Sequence, residues 1–482
     1  MTKTNHLNQW KRKEELAERL LPLAGSLYRD FGVSVYVSGK SLLQLSPAEI
    51  IEAHRQAREL WQEELDIADS LVVMETIRDL RPASARVDIA RLVGHYRGED
   101  NAGSLEDYTK QVLADIAGKN GDNGGDPQDV ILYGFGRIGR LMARVLIDKT
   151  GGGDRCRLRA VVVRPGVAGD LKKRASLLQY DSVHGEFPGT VEVIEEEDAL
   201  IVNGNYIQFI RASSPEEIDY TKYDIKDAIV VDNTGVFRDR EGLSRHLEAK
   251  GVKSVILTAP GKGDIPNIVY GVNHHEIDPA ERVLSAASCT TNAIVPVLKT
   301  VNDTFGIESG HMETIHAYTN DQNLIDNFHK KHRRGRAAAI NMVITETGAA
   351  SAVAKTLPEL KGKLTGNAIR VPTPNVSLAV LTLNLSRETT VEELNEHLRK
   401  MAIDSELQQQ IDFATADDIV SSDLVGNSHA SIVDANATIV SGSRCTLYVW
   451  YDNEYGYTCQ VMRLLQQISG KNPPTYPAIR NA

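Results

Sequence analysis

The hydrophobic rhythm of this chain changes once, near residue 120, and the change divides it. Upstream, apolar residues recur at helical spacing. Leu16-Ala-Glu-Arg-Leu-Leu-Pro-Leu23 opens the pattern, and Ile50-Ile-Glu-Ala-His-Arg-Gln-Ala-Arg-Glu-Leu-Trp61 repeats it behind a clear start signal. Ser46 serves as N-cap, Pro47 takes the first helical position, and Glu49 lies three residues after the cap. The same spacing predicts helices over 66–78, 83–96 and 104–117. An all-α region over 1–117 is the expectation. Residues 118–127 then gather four glycines, two asparagines and a proline, which predicts a linker or exposed loop.

Beyond the linker the pattern becomes strand, glycine turn, helix. In Asp129-Val-Ile-Leu-Tyr-Gly-Phe-Gly-Arg-Ile-Gly-Arg140 an apolar strand runs into Gly134, Gly136 and Gly139 and then an amphipathic helix. Glycines at this spacing let the backbone turn tightly and approach a pyrophosphate at the helix N-terminus. Glycine-rich turns also serve plain strand-to-helix packing, and it is the position between strand and helix that favours a dinucleotide site. A second strand, Arg159-Ala-Val-Val-Val163, ends where an acidic residue would hydrogen-bond the adenosine ribose. The chain has Arg164-Pro-Gly there instead. An arginine can pair with a 2′-phosphate, which makes Arg164 a candidate NADP contact; the alternative is a solvated surface residue.

Ser285-Ala-Ala-Ser-Cys-Thr-Thr-Asn292 carries the strongest candidate chemistry. It follows the end of a buried strand and precedes a helix predicted from Ala293-Ile-Val-Pro-Val-Leu-Lys-Thr-Val301, with Pro296 in its first turn. Cys289 then lies near a helix N-terminus, which lowers a thiol's pKa and can hold an oxyanion. The plain alternative is a buried core cysteine, but Ser288, Thr290, Thr291 and Asn292 are poor lining for one.

Composition narrows the classes. A length of 482 residues with 41% hydrophobic content suits two or three domains with cores of their own. The net charge of −11 argues against a protein built to grip nucleic acid. Four cysteines, at 156, 289, 445 and 459, give neither a disulfide framework nor metal-ligand spacing. The first residues lack a secretory pattern, and no apolar run approaches the roughly 20 residues that span a bilayer, so a cytoplasmic protein with no membrane partner is expected.

From about residue 128 onward the chain resembles phosphorylating glyceraldehyde-3-phosphate dehydrogenases. The resemblance rests on Tyr-Gly-Phe-Gly-Arg-Ile-Gly-Arg140, Gln-Tyr-Asp-Ser-Val-His-Gly185, Asn-Thr-Gly-Val-Phe237, Ala-Ser-Cys-Thr-Thr-Asn292 and His-Ala-Tyr-Thr-Asn-Asp-Gln322. Pro-Glu-Leu-Lys-Gly-Lys-Leu-Thr-Gly366, Arg-Val-Pro-Thr-Pro-Asn-Val-Ser377 and Trp-Tyr-Asp-Asn-Glu-Tyr-Gly-Tyr457 follow in the same order. It implies an α/β architecture. A Rossmann-type domain over 128–288 would be completed by 453–482. An α+β catalytic domain with a mostly antiparallel sheet would cover 289–452, and the assembly would be a homotetramer.

The resemblance also implies roles. Cys289 would attack the aldehyde of glyceraldehyde 3-phosphate, and His316 would be its general base. Thr319, Asp321 and Arg370, with Arg336 nearby, would hold the substrate phosphate; Ser288, Thr290, Thr347 and Gly348 would receive inorganic phosphate. Gly134, Gly136, Arg137, Ile138, Gly139, Arg164, Thr234, Gly235, Thr258, Asn453 and Tyr457 would face NAD or NADP. Tyr133 for the usual asparagine, Asn327-Phe328 for Leu-Pro, and Arg164 leave the choice between the two cofactors open. Ala293 replaces a second cysteine often found after the nucleophile. The basic run Lys330-Lys-His-Arg-Arg-Gly-Arg336 could also be a nucleic-acid patch, though the family places this segment near the cofactor and a neighbouring subunit. Erythrose-4-phosphate dehydrogenase is the nearest alternative activity. An assembly or regulatory role for the N-terminal extension is another.

Overall fold

The computed structural model describes residues 3–98, 103–121, 125–150, 155–167 and 169–479. The chain forms two compact units. One comprises Met1–Gly125, Arg399–Gln408 and Asn472–Ala482; the other comprises Asp126–Leu398 and Gln409–Lys471.

The first unit is built on helices Lys3–Phe31, Pro47–Trp61, Ile67–Leu80, Ile89–Gly98 and Leu105–Val112. The capping box is present: the Glu49 amide donates to Ser46 Oγ at 3.3 Å and the Ser46 amide to Glu49 Oε2 at 2.8 Å. Leu20, Leu27, Ile50, Met74, Ile77 and Leu92 meet in one core. The expectation of an all-α region needs amending, because this unit also carries a four-stranded sheet. Its order is Lys40–Ser41, Ser34–Val37, Arg86–Asp88, Thr475–Tyr476. The helix predicted over 83–96 starts at Ile89, since Arg86–Asp88 is a strand and Asp88 Oδ1 accepts the Arg91 amide at 3.1 Å. The partner strand Thr475–Tyr476 comes from the end of the chain, beyond the reach of local periodicity. Residues 472–482, expected with the dinucleotide domain, therefore group with this unit. The predicted linker is also tied down at its start, where the amides of Gly118, Asn120 and Gly121 donate to the carbonyls of Leu80, Arg81 and Pro82. Residues 122–124 of that stretch lie outside the described residues.

The second unit holds two eight-stranded sheets. The first runs Val283–Ser285, Val252–Leu257, Ala228–Asp232, Gln128–Tyr133, Cys156–Val163, Asn205–Arg211, Ala199–Val202, Val191–Ile194. Its first six strands are parallel and the last two pairings antiparallel. Both faces are covered: Val130, Leu132 and Val161 point into one core, and Ile131, Ala160 and Val230 into another. That double burial explains why these strands read as unbroken apolar runs. The second sheet runs Val343–Thr345, Leu364–Val371, Ile307–Ala317, Ser377–Leu385, Arg444–Tyr451, Ser431–Asp434, Ile411–Ala414, with Ile439–Ser441 also pairing Arg444–Tyr451. Its pairings are antiparallel except Ile307–Ala317 with Leu364–Val371 and Ile411–Ala414 with Ser431–Asp434, so the sheet is mostly antiparallel as expected.

Helix Cys289–Phe305 follows directly on the edge strand of the parallel sheet. Pro296 is thus in the helix interior rather than in its first turn, because the helix begins four residues earlier than the apolar run suggests. Helix Tyr455–Ile468 returns to the first sheet, where Tyr457, Val461 and Leu464 join the core formed by Met142 and Leu146.

Candidate active site

Sequence places a thiol at the strand-to-helix turn, and the fold brings a base to it. Cys289 is the first residue of its helix, capped by Ser288, whose Oγ accepts the Thr291 amide at 3.0 Å. His316 lies near the end of strand Ile307–Ala317, and its Nε2 is 3.5 Å from Cys289 Sγ. Nδ1 of the same ring donates to the Ala317 carbonyl at 2.7 Å. Arg370 Nη1 lies 3.0 Å from Nδ1 and spends its own protons on Ala317 O at 3.0 Å and Thr319 Oγ1 at 3.2 Å. A carbonyl oxygen only accepts, so the short contact to Ala317 O assigns the proton to Nδ1, and Nε2 presents a lone pair to the thiol.

Burial pushes the Cys289 thiol above its ordinary range, with Arg370 acting against it. This corrects the expectation of a lowered thiol. Burial, and then the Arg370 charge, push His316 down to about 3. The resting pair is therefore neutral thiol and neutral imidazole, the state in which His316 can accept the thiol proton. The amides at the head of the Cys289–Phe305 helix favour the thiolate once the proton has moved.

Arg370 belongs to a wider polar cluster. Thr319 Oγ1 donates to Asp321, and Arg334 donates to Asp321 and, through Nε at 3.2 Å, to Thr345 Oγ1. Arg334 is thus the second arginine of the cluster. Its side chain is 12% exposed, whereas that of Arg336 is 65% exposed and pairs with Asp326 at 3.0 Å. The basic run contains three arginines, and only the turn His332–Gly335 decides which one points inward. The Thr290 hydroxyl bonds the buried Tyr451 phenol at 3.0 Å, which uses one of the bonds a hydroxyl can make. The Ser288 hydroxyl bonds Thr291 Oγ1 at 2.7 Å. Thr347 and Gly348 line a cavity of about 670 Å³ with Lys331, Arg333, Thr345 and Asn367.

The glycine turn has the shape a dinucleotide needs. Gly134 has φ +94°, and a Cβ on Gly139 would meet the Gly134 carbonyl at 2.4 Å, while Gly136 has open space above its Cα. Helix Arg137–Thr150 starts there, offering its first amides, including those of Arg137 and Ile138. The Arg137 guanidinium is committed elsewhere, to Glu454 at 2.5 Å and Asp181 at 3.1 Å. Neither carboxylate was singled out from sequence, although both sit in family-like runs. Replacing Gly139 with alanine would force its Cβ against backbone oxygen and open the turn. The expected outcome is a cofactor KM raised about 10-fold or more, with the thiol still reactive to alkylation, measured by steady-state kinetics.

Further along the same edge, the buried carboxylate of Asp232 accepts the Thr234 amide at 2.8 Å and the Thr234 hydroxyl at 2.6 Å, and it meets His246 Nε2 at 3.0 Å. Thr258 Oγ1 donates to the Asp232 carbonyl at 3.0 Å. Asp232 therefore fixes the Thr234-Gly235 turn, a role missed in the sequence, where an aspartate ending an apolar strand before Asn-Thr-Gly was its only signal. Asn453 Oδ1 accepts the Ser377 hydroxyl at 2.8 Å, leaving its NH₂ to bond a carboxamide. Tyr457 is buried, and its OH donates to the Ala287 carbonyl at 2.9 Å, which ties it to the nucleophile turn. Tyr133 is likewise in the interior, edge-on to His246 at 4.6 Å. Arg164 is exposed and makes no ion pair among the described residues. Its neighbour Arg211, by contrast, is neutralised by Asp170 at 2.8 Å and Asp198 at 3.0 Å.

Comparison with known proteins agrees with this geometry. The glyceraldehyde 3-phosphate dehydrogenase NAD binding domain matches residues 128–240, and the C-terminal domain of the same family matches residues 288–453. A glyceraldehyde-3-phosphate dehydrogenase-like protein of Pseudomonas aeruginosa is 56% identical over 460 residues, 95% of this chain and 100% of its own. Glyceraldehyde-3-phosphate dehydrogenase 2 of Nostoc sp. is 42% identical over 344 residues, 71% of this chain and 98% of its own. Its Bacillus subtilis namesake is 42% identical over 346 residues, 71% of this chain and 97% of its own. With a thiol and imidazole paired at the sheet ends and a glycine turn ready for a dinucleotide, the chain belongs to the glyceraldehyde-3-phosphate dehydrogenase family of oxidoreductases.

Proposed function

We propose that this protein catalyses the reversible, phosphorylating oxidation of D-glyceraldehyde 3-phosphate to 1,3-bisphosphoglycerate with NAD or NADP. The observation that carries this reading is the 3.5 Å approach of Cys289 Sγ to His316 Nε2, with Nδ1 anchored on Ala317 O. His316 takes the thiol proton while sulfur bonds to the aldehyde carbon and then passes it to the new oxyanion, giving a thiohemiacetal and a neutral imidazole. The bound nicotinamide supplies the hydride acceptor for the next step. His316 removes the hydroxyl proton as the thioester forms. Inorganic phosphate then attacks the thioester carbonyl, the C–S bond breaks, and the thiolate returns.

Thr319, Asp321, Arg334 and Arg370 form the best-supported phosphate cluster, because two guanidinium groups and a threonine converge there. Replacing Arg334 with alanine is expected to raise the KM for glyceraldehyde 3-phosphate about 10- to 100-fold, a loss read from steady-state rates. Replacing Arg336 is expected to leave that KM near the parent value. Leu324, Ile325, Phe328, Ile340, Met342 and Ile344 expose apolar side chains, Phe328 at 92%, which supports a homotetramer that covers them. No helix among the described residues is long and apolar enough to cross a membrane.

Initial rates with NAD and NADP in parallel test the reading and its cofactor. A preference for NADP that Arg164→Ala removes would assign the 2′-phosphate to Arg164. A rate with erythrose 4-phosphate but none with glyceraldehyde 3-phosphate would replace the substrate.

A further inference from the structure

Cys289 enters its helix through a strained turn. Ala287, two residues before it, has φ +55°, a left-handed conformation that residues with a Cβ avoid. Two bonds hold it on opposite sides. Its amide donates to Ser285 Oγ at 3.0 Å, and its carbonyl accepts the Tyr457 OH at 2.9 Å. The first partner is local; the second reaches across from helix Tyr455–Ile468. Asn292 supports the same turn, donating from Nδ2 to Ala286 O at 2.8 Å and Ser288 O at 2.9 Å. Tyr457 is 5% exposed and packed in the dinucleotide-side core, so its ring is fixed and its one proton is directed at Ala287.

We propose that Tyr457 is a positioning residue for the nucleophile, holding Ala287 left-handed so that Cys289 Sγ faces His316 Nε2. Without the phenol hydroxyl, the buried Ala287 carbonyl loses its donor and the residue can relax to negative φ. That rotation turns the peptide leading into Ser288 and Cys289 and lengthens the 3.5 Å approach to the imidazole. The inference rests on the reading of Cys289 as the nucleophile.

Tyr457→Phe keeps the ring and removes only the hydroxyl. The expected result is a kcat lower by about tenfold, matching the preference of alanine against this conformation, with the KM values for substrate and cofactor unchanged. Alkylation of Cys289 by iodoacetamide, mapped to its peptide in cofactor-free protein, is expected to slow as well. Adding Ala287→Gly to Tyr457→Phe is expected to restore most of both rates, because glycine holds positive φ unaided. Full kcat in Tyr457→Phe, a loss confined to the cofactor KM, or a loss that glycine does not recover would each overturn the proposal. If the parent protein oxidises no aldehyde, the proposed function fails by itself, and the alkylation rates still judge the clamp.

Discussion

Cys289→Ser is expected to reduce aldehyde oxidation by at least about 10³-fold while leaving the fold intact. Sulfur and oxygen are close enough in size that the packing around the helix start survives. Ser288 still caps the helix, and Asn292 still bonds the carbonyls of Ala286 and Ser288. What is lost is nucleophilicity, since a serine hydroxyl is far harder to ionise than a thiol and forms a poorer leaving group when phosphate attacks. Rates, with thermal unfolding and circular dichroism as controls, check this. A variant that turns over near the parent rate would remove Cys289 from the chemistry.

His316→Asn is expected to lower kcat by about 10²- to 10⁴-fold, the usual worth of a positioned general base. Asparagine can still donate towards Ala317 O, so Arg370 and Thr319 keep their places. It offers no basic nitrogen at 3.5 Å from the sulfur. Burial already pushes the Cys289 thiol up, and in the proposed mechanism the imidazole takes its proton. Without it, the pH at which alkylation of Cys289 reaches half its maximal rate should move upward. An unchanged alkylation profile would show that His316 does not receive the thiol proton.

Much of this was legible in the sequence because it is local. Gly134 and Gly139 announce their turn through backbone demands that only glycine meets, and Ser46 with Glu49 announces a helix start. Cys289 stood out because of its small polar neighbours and its place after a buried strand. What escaped depends on distant partners. Periodicity cannot tell that Arg86–Asp88 is a strand, since its neighbours Ser34–Val37 and Thr475–Tyr476 come from far along the chain. Three arginines in one run look alike until a turn directs Arg334 inward and Arg336 outward. The bonds from Thr290 to Tyr451 and from the Tyr457 OH to Ala287 likewise join residues far apart in the chain. The pairing of Cys289 with His316 came from family resemblance, and only the fold supplies a distance for it.

The most direct test of the account is the intact mass of the enzyme after incubation with glyceraldehyde 3-phosphate and oxidised cofactor in phosphate-free buffer. The account predicts one phosphoglyceroyl group per chain, carried on the Cys289 peptide and released when inorganic phosphate is added. Turnover that continues without phosphate, or an acyl group found on any other residue, would contradict it.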